Sequence, residues 1–361
     1  MAITSERAID AIVARGEIGG RTVRIVESGE VGTDTFPVPA PTDGQVLVRT
    51  IRSAISPGTE MTFFGRDASN VYLHKTWNEE LRLFEAGRAS LEYPVVFGYR
   101  AAGEVLESRD PGVSVGQRVY GNWRHTEYTV MPGQRATAQA LADGVDWDDG
   151  VDIGQMGPIC LNAVRFGEGR QAGSPAVVFG AGPVGLIVAQ IARATGAEPV
   201  YVVDRVAPRL AIAESLGLEP IEAGEGVDVA VTLKRTHGSE GIPVAWECTG
   251  STFALNEAIR TVRRRGTVVA VGFYQGEGRG LLLGDEFHHN GIAVVCGQIG
   301  NLHPSETWPT LRRRVVEMAA AGTIALGRLP RLTLPVERVA EGFEALQRPA
   351  EVLQVALSYD G

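Results

Sequence analysis

Cysteine is scarce in this chain: its 361 residues include only three, Cys160, Cys248 and Cys296, and none belongs to a Cys-x-x-Cys pair. Such wide spacing argues against a disulfide framework and against a clustered metal site. Long apolar runs are also missing, since none approaches the roughly 20 residues that a transmembrane helix needs. The first 20 residues mix acidic and basic side chains with apolar ones. We therefore expect no signal-peptide core and a cytoplasmic location.

Long runs of like charge are lacking as well. The chain has 34 Lys and Arg against 43 Asp and Glu, for a net charge of −9. This balance argues against nucleic acid as a main partner, and we expect no membrane partner either. Hydrophobic residues make up 44% of the chain and charged residues 21%, which is ordinary for a globular protein. The length exceeds that of a usual single domain, so two domains are expected.

The first part of the chain, from about residue 21 to 160, contains short β segments separated by proline and glycine turns. This pattern is typical of a β-rich domain. One stretch departs from it, because residues 75–89 (KTWNEELRLFEAGRA) are polar with apolar residues at helical spacing. That spacing indicates a helix or an ordered insertion.

From Ala176 onward, strand-like apolar runs alternate with helical stretches, which is the pattern of parallel β-α-β units. Six runs predict a doubly wound parallel sheet, at residues 176–179, 199–203, 227–232, 244–247, 267–271 and 292–296. After a helix predicted over residues 310–321, two segments, 332–334 and 352–358, resemble the β segments of the first domain. We therefore assign residues 1–160 and 322–361 to the β-rich domain and residues 161–321 to the domain with the parallel sheet, within an α/β fold class.

The clearest motif is a glycine-rich turn after the first of these runs. Gly180-x-Gly182-x-x-Gly185 lies between an apolar strand and an amphipathic helix, and Asp204 ends the next strand, 204 − 185 = 19 residues later. The first glycine allows a sharp turn, the second lets backbone N–H groups approach a pyrophosphate, and the third lets helix and strand pack closely. In this context the motif predicts a dinucleotide-binding domain.

Residues around Asp204 bear on the choice of cofactor. The Asp204 carboxylate can accept hydrogen bonds from an adenosine ribose and would repel a 2′-phosphate, so NAD is preferred over NADP. Arg205 could instead pair with a 2′-phosphate. Arg209 is predicted to stack on the adenine or to pair near it.

Over nearly its whole length, the sequence resembles the medium-chain dehydrogenase/reductase superfamily. The matching pieces are Pro57-Gly58-Thr59-Glu60, Gly98-Tyr99-Arg100-Ala101-Ala102-Gly103, Val115-Gly116-Gln117-Arg118-Val119, Glu247-Cys248-Thr249-Gly250 and Val271-Gly272-Phe273. The resemblance implies a GroES-like β-rich catalytic domain joined to a Rossmann domain with a doubly wound parallel sheet. It also implies further cofactor-binding residues, namely Pro183, Val184, Cys248, Thr249, Gly272 and Phe273.

The sequence departs from zinc-dependent members of that superfamily. In those members a cysteine, a histidine and a third Cys or Glu hold a catalytic zinc ion, which polarises the alcohol oxygen. The corresponding positions here are Pro57, Tyr99 and Gln155, which are poor zinc ligands. We therefore expect no zinc. Residues 55–60, 287–290 and 297–300 make the chain most similar to the zinc-independent branch that includes bacteriochlorophyllide dehydrogenase-like proteins.

Without a metal, side chains must hold the substrate oxygen and take its proton. Thr59 falls where the superfamily has a hydroxyl that relays this proton. Glu60 could act as a base, orient a neighbour or form an ion pair with Arg100. Tyr99 could donate a hydrogen bond to the substrate oxygen, while Arg100 could lower the pKa of Tyr99 or fix a polar substrate. The alternative is that both side chains only fill the space of the missing metal site.

Histidine is a further candidate for acid–base chemistry, because imidazole titrates near neutral pH. His74, just before the polar stretch, and His125, in a predicted strand, are the two that could contact substrate. His288 and His289 are expected to serve packing or an interface. Cys160, between two apolar neighbours, is expected to be a buried small residue.

These observations predict a zinc-independent, NAD-dependent dehydrogenase that oxidises a secondary alcohol of a small polar substrate, such as a sugar, a cyclitol or a natural-product intermediate. The polar candidates that favour a hydroxyl-rich alcohol or ketone are Glu60, His74, Tyr99, Arg100, Gln155 and Asn162. The alternatives are a quinone or enoyl reductase using NADPH, an epimerase that recycles a bound cofactor, and a non-catalytic dinucleotide-binding protein. A homodimer or homotetramer is expected, with residues 292–296 as an edge for sheet pairing.

Overall fold

The computed structural model describes residues 19–65 and 70–359, which divide between two compact units. The first, called the β-rich unit, comprises the described residues up to 155, residues 331–347 and those from 354 onward. The second, called the parallel-sheet unit, comprises residues 156–330 and 348–353. The boundary expected after residue 160 therefore falls after residue 155, and the one expected after residue 321 falls after residue 330.

The described residues up to 155 form nine strands: β1 (Gly19–Glu27), β2 (Glu30–Pro37), β3 (Gln45–Ile55), β4 (Lys75–Asn78), β5 (Leu83–Ala86), β6 (Val95–Val96), β7 (Ala101–Ser108), β8 (Arg118–Gly121) and β9 (Tyr128–Pro132). Three short helices accompany them: α1 (Met61–Phe64), α2 (Gly133–Ala138) and α3 (Trp147–Val151). A 3-10 turn covers Val71–Leu73, and a π-helical turn at Asp152–Met156 leads into the next unit.

The central strand of the largest sheet in the β-rich unit is β3. It pairs antiparallel with β7 and with β9, and Val46 and Val48 pack with Val105 and Met131 in a buried core. The strand ends at Ile55, and a tight turn follows directly before α1. Because β3 is paired and buried along its length, it holds this turn, residues 56–60, in a defined position.

Residues 75–86 form a β-hairpin, so the helical alternative for residues 75–89 is wrong and the segment is ordered in another form. β4 and β5 pair antiparallel, with Trp77 opposite Phe84. Their ring centroids lie 5.0 Å apart, and Tyr72 makes a further edge contact with Phe84 at 5.4 Å. The apolar residues that suggested a helical stripe are thus a cross-strand aromatic cluster, a pairing that stabilises hairpins.

The described residues 156–330 contain six strands: β10 (Ala176–Phe179), β11 (Val200–Asp204), β12 (Glu219–Glu222), β13 (Val244–Glu247), β14 (Thr267–Ala270) and β15 (Ala293–Cys296). Their helices are α4 (Gly157–Arg165), α5 (Pro183–Ala194), α6 (Ala207–Ser215), α7 (Val229–His237), α8 (Thr252–Thr261), α9 (His288–Asn290) and α10 (Trp308–Ala320). The strands are all parallel, in the order β12-β11-β10-β13-β14-β15. The chain moves outward from β10 to β12 and then returns to β13, so its direction across the sheet reverses between β10 and β13.

One predicted strand in this sheet was wrong. Residues 227–232 lie mostly in helix α7, whose first N–H groups are capped when the Asp228 side chain accepts from Val231 N at 2.9 Å. The valine-rich sequence favoured a strand, but the buried positions, Val229, Ala230 and Leu233, follow helical spacing. The sixth strand is instead β12, which was missed because its residues are mostly exposed at the edge of the sheet, where no apolar pattern is needed.

The end of the chain returns to the β-rich unit, as expected. It contributes β16 (Leu332–Pro335), α11 (Val339–Leu346) and β17 (Val355–Ser358). β17 pairs antiparallel with β3, and β16 pairs parallel with β17. The two-part α/β architecture with a doubly wound sheet is thus confirmed. Among the described residues, no helix combines the length and apolarity that crossing a membrane requires.

Candidate functional site

The glycine-rich turn joins β10 to α5 as the motif predicted. Gly180 has a φ of +104°, a conformation that side chains disfavour, and a Cβ at Gly185 would overlap the Gly180 carbonyl oxygen. Gly182 is the N-cap of α5, with Pro183 and Val184 as its first residues. The start of the helix is therefore left with backbone N–H groups and no side chain in front of them, which suits a phosphate.

Asp204 ends β11 beside this turn, and backbone groups hold its carboxylate. One oxygen accepts from Ala181 N at 2.6 Å, and the other accepts from Arg205 N at 2.7 Å and Val206 N at 2.9 Å. A carboxylate offers about four acceptor positions and three are used here, so one remains for a ribose hydroxyl. Asp204 is thus fixed in orientation next to the glycine turn.

A cavity of about 890 Å³ opens beside Asp204, within the range usual for small-molecule sites. Gly180, Arg205, Arg209 and Thr249 also line it. The Nε of Arg209 donates to the Pro349 carbonyl at 2.9 Å, which fixes the side chain. Burial lowers the pKa of its guanidinium. Of the predicted cofactor residues, Gly180 at the start of the glycine turn thus lines one cavity together with Asp204, Arg205, Arg209 and Thr249, and this arrangement fits a dinucleotide.

The remaining predicted cofactor residues lie at the carboxyl ends of the next two strands. Cys248 follows β13 and its N–H donates to Phe179 O at 2.8 Å, which links it to β10. Gly272 and Phe273 follow β14, and Phe273 packs against Gly250. Burial raises the pKa of the Cys248 thiol well above its ordinary value, so this cysteine is a poor nucleophile. Their contact with a cofactor stays a prediction.

A cluster of hydroxyl groups forms around residues 56–60 of the β-rich unit. Tyr99 donates to Ser56 Oγ at 2.5 Å and lies 3.4 Å from Thr59 Oγ1, while Thr59 N donates to Ser56 Oγ at 3.3 Å. Burial, and then the charge of Glu60, raise the pKa of Tyr99, and the nearby Arg100 does not offset them. Arg100 does lower this pKa, as expected, but burial and Glu60 outweigh it, and Tyr99 remains a hydrogen-bond donor at neutral pH.

Glu60 lies behind these hydroxyls, and its side chain is completely buried. Its Oε2 contacts His125 Nε2 at 2.8 Å, and its Oε1 accepts from Ser56 N at 3.1 Å. His125 Nδ1 in turn meets Ser53 Oγ at 2.8 Å, and Ser53 meets Tyr359 OH at 3.0 Å. One arrangement of hydrogens satisfies all these groups, with Tyr359 donating to Ser53, Ser53 to His125 and His125 to Glu60.

This chain of contacts changes one expectation. His125 is 1% exposed and lies behind Glu60, so it supports the carboxylate where substrate contact was expected. Burial also raises the pKa of Tyr359, which suits its place as the terminal donor. Ser53 and Tyr359 were missed by sequence reasoning, because a serine in a strand and a tyrosine near the end of the chain carry no local signal of this pairing.

Arg100 does not pair with Glu60, so the predicted ion pair was wrong. Its guanidinium is completely buried and meets Asp152 Oδ1 at 2.9 Å, while Arg331 approaches the other Asp152 oxygen at 2.9 Å. Arg100 also donates to the carbonyl groups of Ala54 and Ile55, at 3.4 and 3.0 Å. With its N–H groups directed to these partners, Arg100 braces the end of β3 and does not present a charge to a polar substrate.

Three other polar candidates lie elsewhere. His74 is exposed at the end of the 3-10 turn, whereas the cluster around Glu60 is buried. Gln155 is 8% exposed, and its Oε1 has no hydrogen-bond partner among the described residues. Asn162 belongs to the parallel-sheet unit, where its side chain bonds the backbone at Gly297, Asn301 and His303. Asn162 is therefore a structural residue and not a substrate contact.

The remaining His and Cys expectations concern packing. His288 and His289 lie in α9 with ring centroids 5.4 Å apart, and His289 Nδ1 meets Asp285 O at 3.0 Å. Cys160 is completely buried and its Sγ lies 3.5 Å from Val184 O, as expected for a small core residue.

The residues at the superfamily's zinc positions do not fit that ion. Pro57 offers no donor, and the Tyr99 hydroxyl is engaged by Ser56. Within residues 19–65 and 70–359, no group of three or more His, Cys, Asp or Glu side chains could hold a metal. The donors present, a phenol, two aliphatic hydroxyls and a buried carboxylate, instead suit proton transfer.

Comparison with known proteins places these features in context. A family model described as "Zinc-binding dehydrogenase" matches residues 183–317. The matched segment begins inside the glycine motif and includes none of Pro57, Tyr99 and Gln155. The match therefore bears on the parallel-sheet unit and not on the positions at which zinc ligands would lie.

Similar curated proteins are dehydrogenases by name. An uncharacterized zinc-type alcohol dehydrogenase-like protein of Escherichia coli (strain K12) is 28% identical over 246 residues, covering 65% of each chain, slightly less than two thirds of that relative. D-guloside 3-dehydrogenase of the same organism is 27% identical over 283 residues, covering 76% of this chain and 79% of the relative. The crystal structure of 2R,3R-butanediol dehydrogenase from Bacillus subtilis superposes with a TM-score of 0.75 at 20% identity, covering 94% of this chain and 100% of that chain, which shows the shared fold.

Proposed function

We propose that this chain is a member of the medium-chain dehydrogenase/reductase superfamily of oxidoreductases and an NAD-dependent dehydrogenase that oxidises a secondary alcohol without zinc. The substrate class we infer is a small, hydroxyl-rich molecule such as a sugar or cyclitol. The observation that carries this proposal is the buried Glu60–His125 pair beside the hydroxyls of Ser56, Thr59 and Tyr99. Similarity to a named sugar-derivative dehydrogenase supports the substrate class.

Oxidation of a secondary alcohol separates a hydride from a proton. When bound, the nicotinamide ring supplies the hydride acceptor. Tyr99 is kept protonated by its raised pKa, and when substrate binds its hydroxyl turns from Ser56 to donate a hydrogen bond to the alcohol oxygen. Glu60 is the proposed acceptor of the alcohol proton. The hydroxyls of Thr59 and Ser56, which both lie within hydrogen-bond distance of the Tyr99 hydroxyl, are the proposed relay toward this carboxylate, which accepts from Ser56 N. The balance is one alcohol and one oxidised cofactor giving one ketone, one reduced cofactor and one proton.

The assignment of NAD over NADP rests on charge. Three acidic residues, Asp204, Glu225 and Glu257, line the cavity against two arginines, Arg205 and Arg209. A 2′-phosphate placed there would meet the fixed Asp204 carboxylate, whereas ribose hydroxyls could donate to it. If Asp204 were not acidic, a 2′-phosphate at this place would face the guanidinium groups of Arg205 and Arg209.

We expect Asp204→Asn to weaken NADH binding by about tenfold or more, because one hydrogen bond to a charged group contributes about 1.5–3 kcal/mol. NADPH binding should weaken less or improve, since the repulsive charge is gone. Fluorescence titration with each reduced cofactor measures both values. Glu222→Gln is the matched control, because Glu222 pairs with Asp204 in register on β12 but is exposed and outside the cavity. Tighter binding of NADPH than NADH by the unaltered protein would contradict the NAD assignment.

Zinc independence is tested by removing metal from the protein. We expect prolonged chelation to leave alcohol-dependent NAD reduction at its original rate, because the proposed proton path uses only side chains. Metal analysis of the chelated sample confirms that the ion has been removed. Activity that disappears on chelation and returns with added zinc would contradict zinc independence.

The substrate class is tested with a panel of polyols, sugars and cyclitols, following NADH formation by absorbance. At least one secondary alcohol should reduce NAD. A panel with no active member, together with NADPH-dependent reduction of a quinone or enone, would favour the reductase alternative instead.

Self-association is the remaining part of the proposal. β15 is the last strand of the parallel sheet, and Val294 on it is 39% exposed. An exposed apolar edge strand is a template for pairing with a second copy. We infer a homo-oligomer on this basis.

A further inference from the structure

A single buried carboxylate lies at the centre of the cofactor-side loops. Glu247 ends β13, and its side chain is completely buried. One of its oxygens accepts from Thr249 N at 2.7 Å and from the Thr249 hydroxyl; the other accepts from Gly250 N at 3.1 Å and from the Tyr274 hydroxyl. Since a carboxylate offers about four acceptor positions, these four donors use its whole capacity.

These four hydrogen bonds connect three loops. Thr249 and Gly250 belong to the loop after β13, and Tyr274 to the loop after β14. The Thr249 methyl group lies so close to Gly180, on the loop after β10, that a Cβ at Gly180 would be 2.8 Å from it. The position of the first motif glycine is therefore coupled, through Thr249, to the carboxylate of Glu247.

The three loops lie where a ligand is expected in a sheet of this topology. In doubly wound sheets, ligands bind beyond the carboxyl ends of the strands at the point where the strand order reverses, and here that point lies between β10 and β13. Thr249 is exposed and lines the cavity beside Asp204, whereas Glu247 does not reach it. Glu247 can thus influence a bound dinucleotide only through its neighbours.

Burying a carboxylate at this position costs free energy that an apolar residue would avoid, so packing alone does not explain Glu247. The neighbouring strands β10 and β14 end in Phe179 and Ala270, and burying an ionisable group is unfavourable unless its hydrogen bonds are satisfied. Burial raises the pKa of Glu247, while the donors on Thr249, Tyr274 and Gly250 oppose this effect. The donors that offset the burial of Glu247 all belong to the two loops that follow β13 and β14.

We propose that Glu247 is a positioning residue for the dinucleotide, which holds Thr249, Gly250 and Tyr274 so that the loops after β10, β13 and β14 present one preformed binding surface. The inference rests on the proposed function only for the identity of the ligand as a nicotinamide dinucleotide. No substrate alcohol is needed to test it.

The test is NADH binding by fluorescence titration, using the full-length protein and two variants. Glu247→Gln keeps the shape of the side chain but replaces one acceptor oxygen with an N–H donor that faces two other donors, and should weaken NADH binding about tenfold or more. Tyr274→Phe removes one donor and should weaken it about threefold to tenfold. In both variants the KM for NAD should rise, whereas kcat should change little.

Tyr201→Phe is the matched control. It also removes one tyrosine hydroxyl from the parallel-sheet unit, since Tyr201 OH meets His237 Nε2 at 2.7 Å, but it lies outside the cavity. Its affinity for NADH should equal that of the unaltered protein. Circular dichroism and thermal unfolding establish that each variant is folded.

The possible failures can be told apart. Unchanged NADH affinity in folded Glu247→Gln and Tyr274→Phe overturns the positioning role and leaves the proposed function standing. If Glu247→Gln does not fold, unchanged affinity in Tyr274→Phe alone overturns it. An unaltered protein that binds NADH but oxidises no alcohol overturns the proposed function only, and one that binds neither NADH nor NADPH overturns both.

Discussion

Glu60→Gln is expected to lower kcat for alcohol oxidation by a factor of about 10²–10⁴, the usual contribution of a positioned acid–base group. The amide oxygen can still accept from Ser56 N, so the turn at residues 56–60 should keep its shape. An amide cannot take up the alcohol proton, however, and the reaction loses its acceptor. Steady-state kinetics with saturating NAD and alcohol measures this effect.

Binding of cofactor should be unaffected by the same change, because Glu60 belongs to the β-rich unit and the dinucleotide residues do not. Glu104→Gln is the matched control: Glu104 meets Arg49 at 2.6 Å in the same unit, and a partly exposed ion pair of this kind contributes little. A kcat for Glu60→Gln within twofold of the original value would show that the proton leaves by another route.

Asp152→Ala is expected to destabilise the β-rich unit by about 3–5 kcal/mol, the usual cost of removing one partner from a buried ion pair. Arg100 is completely buried and Arg331 is 6% exposed, so the substitution leaves Arg100 without a carboxylate partner and Arg331 with Asp148, at 3.4 Å, as its remaining ion-pair partner. Chemical denaturation, followed by fluorescence and circular dichroism, measures the lost free energy of unfolding.

The same substitution should also reduce activity in the protein that remains folded. Arg100 braces the carbonyl groups of Ala54 and Ile55, directly before the turn that carries Thr59 and Glu60. Asp152→Asn should be milder, because its amide oxygen still accepts from one arginine. Glu341→Ala is the control, since it removes a well-exposed ion pair with Arg338. A denaturation midpoint for Asp152→Ala equal to that of the control would rule out the bracing role.

The sequence predicted the glycine motif and the strands beside it better than it predicted the hairpin of the β-rich unit or the edge strand β12. Gly180, Gly185 and Asp204 are separated by one strand-helix-strand unit, so their spacing and the apolar runs around them define their positions. At residues 227–232 the valines favoured a strand, but a side-chain cap at Asp228 and a one-sided pattern of burial produced a helix. At residues 75–89, aromatic pairing across two strands resembled the apolar stripe of a helix.

The candidate catalytic site was only partly predictable. Thr59, Glu60 and Tyr99 were identified from short motifs, and the structure brings their side chains together. Their partners could not be identified in this way, since Glu60 meets a histidine 65 residues away and Ser53 meets a tyrosine 306 residues away. The predicted partner of Glu60, Arg100, is instead committed to Asp152.

The sequence by itself determined the dinucleotide motif and the class of fold, because backbone conformation and apolar periodicity are local properties of the chain. Only the tertiary structure decided which charges meet. In the β-rich unit, the pairing of β3 with β7 and β17 brings Glu60, Arg100 and Tyr359 into one buried region. A buried polar group that lacks a hydrogen-bond partner loses its hydration without compensation. The partners in this region come from distant segments of the chain, and no local sequence pattern identifies them.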